Sequence, residues 1–361
     1  MTDLFAPLPL ARGPGMKNRF MLAPLTNCQS HDDGRLSDDE FRWLTMRAAG
    51  GFGLTTTCAS HVQARGQGFP GQLGVFSEQH VEGLTRLAGA IRSHGSVAMM
   101  QLHHAGVRAP AGLIGEAPVG PSEDAEKGAR ALELDEIRQL VDDFVAAAVR
   151  AERAGFDGVE IHGAHGYVVS QFLSPEMNQR TDDYGGSPDN RARLLFEIVA
   201  GVRASCRADF IVGVRLSPER FGLRLAEIRE VARRLLAGGA IDLLDLSLWD
   251  VFKEPEEAEF RGRTLLSYFT ELDRDAVRIG AAGKIMGAAD ARQVLDAGAD
   301  FAIIGRGAIL HHDFPARVRA DADFRAVPIP VTAEYLRNEG LGPAFVRYMG
   351  NWQGFVQAET T

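Results

Sequence analysis

The sequence predicts an α/β protein folded as one TIM (β/α)8 barrel. Three observations carry that expectation. Eight short apolar runs alternate with segments of helical period, the pattern of a parallel sheet whose strands are joined by helices. The 361 residues suffice for one such barrel with insertions. No G-x-G-x-x-G follows an early strand, which argues against a doubly wound dinucleotide fold.

The runs fall in order along the chain. Arg19–Ala23 is the first expected strand, followed by Leu54–Ala59 and Val97–Leu102. Gly158–His162, Ile211–Ser217, Leu243–Ser247, Arg278–Gly283 and Phe301–Ile304 complete the eight. The clearest helical segments are Glu78–His94, Leu134–Ala154, Asn190–Ala204, Leu225–Gly238 and Ala288–Ala297. In Leu134–Ala154 the apolar face is Ile137, Leu140, Val141, Phe144 and Val145. Ala154-Gly155 and Ala297-Gly298 supply the glycine that relieves a left-handed helix end. Gly106–Arg130, rich in Gly, Pro and charge, reads as an excursion after the third strand. The expected division is a barrel domain over 1–325 and a tail over 326–361 that packs on the barrel or on a partner subunit.

Composition narrows the class. Hydrophobic residues make up 45% and charged residues 24%, as in a globular protein with a sizeable core. A net charge of −9 argues against a nucleic-acid partner, because a phosphate backbone needs a basic surface. Met1–Leu10 lacks the form of a signal peptide, and no apolar run reaches the roughly 18 residues of a membrane span. Cys28, Cys58 and Cys206 are widely spaced and form no C-x-x-C, so zinc ribbons and iron–sulfur clusters are not expected. Free thiols suit the cytoplasm. The apolar tail suggests a homodimer.

In a TIM barrel the chemistry sits at the C-terminal strand ends and the loops after them. The residues there are Pro24, Leu25 and Thr26 after the first strand, Ala59 and Ser60 at the second, and Gln101, His103 and His104 at the third. His162, His165 and Tyr167 follow the fourth, and Arg215 lies on the fifth. Gly283 and Lys284 close the seventh strand, and Gly305 and Arg306 the eighth. Loops after strands seven and eight commonly build a phosphate site, for which two glycines and a bidentate cation are suited. The His162–His165 pair could bind a metal, pack structurally, or donate to a substrate oxygen. Only Glu160 stands nearby as a further metal ligand, so two donors aimed at an oxygen is the favoured reading. Tyr167 beside that pair becomes a credible proton donor. A buried Arg215 needs an anionic partner, which a flavin gaining charge on reduction would supply.

The run Glu160-Ile161-His162-Gly163-Ala164-His165-Gly166-Tyr167 resembles the signature of the Old Yellow Enzyme ene-reductases. So do Phe172–Pro175 and the stretch Asn178–Ser187. Similarity extends to Lys17-Asn18-Arg19, to Gln101–Gly106 and to Ile304-Gly305-Arg306, and spans Leu4 to about Pro315. The resemblance implies an enzyme with noncovalent FMN that NADH or NADPH reduces. It would then reduce the C=C bond of α,β-unsaturated carbonyl or nitro compounds in a ping-pong cycle. It further implies that Pro24, Thr26, Ala59 and Gln101 contact the isoalloxazine, with Arg215 beside N1 and O2. Gly283, Gly305 and Arg306 would hold the phosphate. His162 and His165 would bind the substrate oxygen, and Tyr167 would protonate the α-carbon. No metal is implied.

The chain departs from the family pattern at three places: Thr26 is followed by Cys28, Val107 intervenes before Arg108, and His311-His312-Asp313 replaces an Asp-Pro. Two alternatives remain at this stage. One is a flavin-free aldolase or isomerase acting on a sugar phosphate through Lys284. The other is a non-catalytic FMN-binding redox sensor.

Overall fold

The computed structural model describes residues 3–358. The first two positions of Met1–Leu10 and the last three of the tail therefore lie outside the described residues. Eight parallel strands form a closed barrel. They are β1 (Phe20–Leu22), β2 (Leu54–His61), β3 (Val97–His103), β4 (Gly158–Gly163), β5 (Ile211–Leu216), β6 (Leu243–Ser247), β7 (Arg278–Ala282) and β8 (Phe301–Ile304). Each pairs with the next in sequence, and Phe20 opposite Ala302 closes the ring between β1 and β8. All eight expected strands are present, their ends shifted by a residue or two.

Every expected helix is also present: Val81–Ser93, Leu134–Arg153, Pro188–Ser205, Leu225–Ala237 and Ala288–Asp296. The link from β1 to β2 contains a further helix, Asp38–Ala49, which apolar periodicity did not reveal. Its buried stripe is Glu40, Trp43, Leu44, Arg47 and Ala48, a helical face in which two of five residues are charged. Both charges are accommodated. Glu40 accepts from Asn27 and Ser30. Arg47 stacks 3.2 Å above the Trp43 ring and donates to the Ala308 carbonyl. The Gly106–Arg130 excursion contains a small ribbon pairing Val119–Gly120 with Arg130–Ala131.

Strand side chains alternate with period two, so every second residue faces the barrel interior. At the N-terminal end that set is apolar: Met21, Leu54, Val97, Met99, Ile211, Leu243, Phe301 and Ile303 form one buried cluster with Leu8 and Met16. Leu8 and Met16 are bridged to each other, and their segment closes the bottom of the barrel. Phe301 needs the space beside Gly280, where a Cβ would run into its ring. One step toward the C-terminal end the interior turns polar, at Gln101, Glu160, Arg215 and Asp245. In β2, Thr56 to Ala59 spans three residues where β3 uses two, Met99 to Gln101. This bulge turns Ala59 into the top of the barrel.

The chain after 326 packs on the barrel's own helices. Phe345 stands edge-on to Trp43 at 4.8 Å, and the Gly342 N–H donates to Gln29 Oε1 at 2.7 Å. Tyr348, Met349 and Trp352 thereby reach the barrel mouth. No described helix is long and apolar enough to cross a membrane.

Candidate active site

A cavity of about 740 Å3 opens at the C-terminal end of the barrel. It falls within the usual range for a small-molecule or cofactor site. Pro24, Thr26, Ala59, Gln101, His162, His165, Tyr167, Arg215, Gly283, Gly305 and Arg306, which lie at or just beyond the ends of seven of the eight strands, all line it. The structure thus brings into one site every residue to which the resemblance gives a role, whereas Ser60, His103 and His104, also noted at strand ends, are buried outside the cavity lining.

The histidine pair forms a directed chain of donors. The Ala164 N–H donates to His162 Nδ1 (3.2 Å), so the neutral ring carries its proton on Nε2. That proton points at His165 Nδ1, 3.3 Å away, and His165 Nε2 in turn donates to Ser247 Oγ at 2.7 Å. Burial, reinforced by nearby positive groups, holds both rings well below the usual histidine pKa. They are neutral at physiological pH.

Tyr167 packs edge-on against His103 (4.4 Å) and His162 (5.2 Å), with the Arg108 guanidinium 4.7 Å over its ring. Arg108 also donates to the His165 carbonyl, tying the two residues together. Among the described residues the Tyr167 hydroxyl has no protein hydrogen-bond partner.

Below them lies the polar layer. Arg215 Nε is 3.0 Å from Asp245 Oδ2, an ion pair too poorly aligned to satisfy either group as a hydrogen bond. Its other nitrogens are 3.5 Å from Pro24 O and Ser247 Oγ, at the limit of hydrogen bonding. Gln101 Nε2 donates to Glu160 Oε2 at 2.6 Å.

At the far side, Arg306 makes no hydrogen bond or ion pair among the described residues. Above Gly305 an added Cβ would meet only ordinary contacts, beyond 3.7 Å. Gly283 differs. Its φ is +153°, and a Cβ there would strike the Trp249–Asp250 backbone at 2.6–2.7 Å. Its glycine is thus required by the neighbouring loop, besides bordering the cavity. Five non-glycine residues with positive φ also line the site: His165, Arg220, Phe221, Trp249 and Lys284. Strained backbone concentrated in this way is typical of functional sites.

Residues 3–323 match the family model described as the NADH:flavin oxidoreductase / NADH oxidase family. The chain belongs to this family. It is 35% identical over 327 residues to the probable NADH-dependent flavin oxidoreductase YqiG of Bacillus subtilis, covering 88% of this chain and 87% of that protein. An NADPH dehydrogenase of Bacillus pumilus is 37% identical over 320 residues, with 87% and 93% covered. The old yellow enzyme homologue of Zymomonas mobilis superposes with a TM-score of 0.81 at 28% identity, covering 96% and 99%. Morphinone reductase in complex with tetrahydroNAD gives 0.80 at 28%, covering 99% of each chain. Some relatives are larger: the chain spans 36% of an NADH:fumarate oxidoreductase of Klebsiella pneumoniae and 52% of a 2-naphthoyl-CoA reductase chain.

The protein is therefore an oxidoreductase of the Old Yellow Enzyme type that uses FMN and draws on NADH or NADPH. The cavity suits that cofactor. Arg306 is unengaged beside an open glycine, and two Arg215 nitrogens are only weakly held, so both cations are available to an anionic group. The sugar-phosphate alternative gives way to the family. Lys284, on which it rested, is half-exposed and paired with Asp250 at 2.8 Å.

Several lining residues were missed in the sequence. Ser247 could have been found by parity, since it ends β6 two residues beyond the inward-facing Asp245. Arg108, Trp249, Tyr348 and Trp352 come from loops and the tail, where no periodicity places a side chain. Cys28, one of the departures from the family pattern, lies half-buried outside the cavity lining, and burial together with the nearby Glu40 raises its thiol pKa to about 11.

Proposed function

We propose that this enzyme reduces the C=C bond of α,β-unsaturated carbonyl or nitro compounds in two half-reactions sharing one cavity. The observation that carries the reading is two neutral histidine donors beside a tyrosine hydroxyl that no protein group engages. When bound, FMN would supply the hydride chemistry that links nicotinamide to the β-carbon. His162 and His165 hold the substrate oxygen with N–H donors and withdraw density from the double bond. In doing so the oxygen competes with the His162–His165 and His165–Ser247 hydrogen bonds, whose donors become its own. Because the rings are neutral donors, protonation of the α-carbon falls to Tyr167. Arg215 would hold the pyrimidine edge of the flavin, with Gln101, Thr26, Pro24 and Ala59 around the ring. Gly283, Gly305 and Arg306 would hold the phosphate.

Turnover of an enone in D2O with unlabelled NADPH or NADH tests this. The product should carry solvent deuterium at the α-carbon and none at the β-carbon. Absence of saturated product from both enone and nitroalkene, in an enzyme whose flavin the nicotinamide does reduce, would overturn the substrate class.

A further inference from the structure

The polar layer beneath the cavity contains more charge than the chemistry above it needs. Two carboxyl groups, Glu160 on β4 and Asp245 on β6, lie in the barrel interior with Arg215 of β5 between their strands. All three are 5% exposed or less. Gly213, opposite Glu160 on β5, leaves the room in which the Glu160 side chain lies: an added Cβ would contact Glu160 at 3.6 Å. Glu160 is held by the neutral Gln101 from β3. Of the two carboxyls only Asp245 is paired with a cation, Arg215 Nε at 3.0 Å. Two carboxylates buried in one layer with a single cation cannot both stay ionised, so one of them is protonated.

We propose that Glu160 and Asp245 are positioning residues for Arg215: the proton of the buried pair stays on Glu160, and the single negative charge of Asp245 anchors the guanidinium and limits the positive charge it presents to the flavin. This rests on the placement of Arg215 at the flavin edge. Burial raises the pKa of both carboxyls; the Asp245 charge raises that of Glu160 further, while the Arg215 charge opposes the rise at Asp245. The other ionisable groups facing Arg215 are His162 and His165, both neutral. The layer is then one cation, one anion and one neutral acid, with no uncompensated buried charge.

The test is the two-electron midpoint potential of the FMN holoenzyme at pH 7, read by equilibration with a reference dye. Asp245→Asn removes the countercharge and should raise the reduced-to-oxidised ratio at fixed potential at least tenfold, about 30 mV for two electrons. Glu160→Gln replaces a neutral acid by a neutral amide and should change that ratio less than threefold. A tenfold rise in Glu160→Gln would overturn the proposal even if Asp245→Asn fails to fold, because it would show Glu160 to be ionised. No rise in a folded, FMN-replete Asp245→Asn would overturn it as well. Arg215→Met separates the two levels. If it leaves the potential unchanged, the placement of Arg215 has failed. If it lowers the potential while Asp245→Asn changes nothing, only the role of the carboxyl pair has failed.

Discussion

Replacing Tyr167 by Phe should separate the two half-reactions. The substitution removes one oxygen and keeps the ring, which stays against His103 and His162 with Arg108 over its face. Because no protein group engages the hydroxyl, its loss orphans no buried donor or acceptor. Stability should therefore stay within about 0.5 kcal/mol, as for substitutions away from core and network features. Reduction of the flavin by NADPH or NADH transfers no proton through Tyr167 and should change less than threefold. Reoxidation by an enone loses a positioned general acid, typically a factor of about 10²–10⁴. The smaller figure corresponds to about 2.7 kcal/mol of barrier. Anaerobic stopped-flow traces of the two half-reactions, recorded separately at the flavin absorbance, measure both effects. Equal slowing of the two, or an unchanged enone step, would refute Tyr167 as the proton donor.

Other consequences follow from groups at the edges of the site and in the barrel. Arg306→Met removes an unengaged cation from the expected phosphate site. FMN should bind the refolded apoprotein roughly 10–100-fold more weakly, the worth of a charged hydrogen bond of about 1.5–3 kcal/mol; unchanged affinity in a fluorescence titration would move the phosphate elsewhere. Gly280→Ala drives a methyl into the Phe301 ring and should cost about 1–3 kcal/mol by urea unfolding, with no such cost expected at the exposed Gly89, where an added Cβ meets nothing. The buried histidines give stability a pH dependence. His61 is lowered to about 4 and His104 to about 3, and His103, His162 and His165 are also held well below the ordinary value, in each case chiefly by burial. The unfolded chain takes up protons at these rings from pH 6.5 downward while the folded chain does not. Stability then falls as the pH drops below about 6.5, by up to about 1.4 kcal/mol per unit for each histidine, with Glu160 and, below about pH 6, Asp245 each offsetting about one. A urea midpoint that stays flat from pH 6.5 to 5 would contradict this.

The barrel was legible because its physics is local and repetitive. A strand in a closed barrel buries both faces, so it appears as a short apolar run, and eight such runs have few other uses. The site was legible for a related reason. Polar residues at the ends of those runs, such as Arg215 and His162, have no packing role. The missed helix Asp38–Ala49 shows the limit. Glu40 and Arg47 occupy core positions on its face, and the groups that hydrogen-bond them, Ser30, Asn27 and the Ala308 carbonyl, are distant in sequence or lie in a loop. Periodicity of hydrophobicity cannot register a buried charge whose partner comes from tertiary structure. The same holds for Asp245, an inward residue on a strand that reads as apolar. Trp249 and Tyr348 reach the cavity only because a strained loop and a packed tail carry them there.

The measurement that bears most directly on the account is an anaerobic visible spectrum of the purified holoenzyme, taken before and after NADPH or NADH and again after cyclohexenone. The account predicts a flavin spectrum that bleaches with the nicotinamide and returns in full with the enone. A flavin that bleaches and then stays reduced in the presence of both enone and nitroalkene would contradict the proposed reaction.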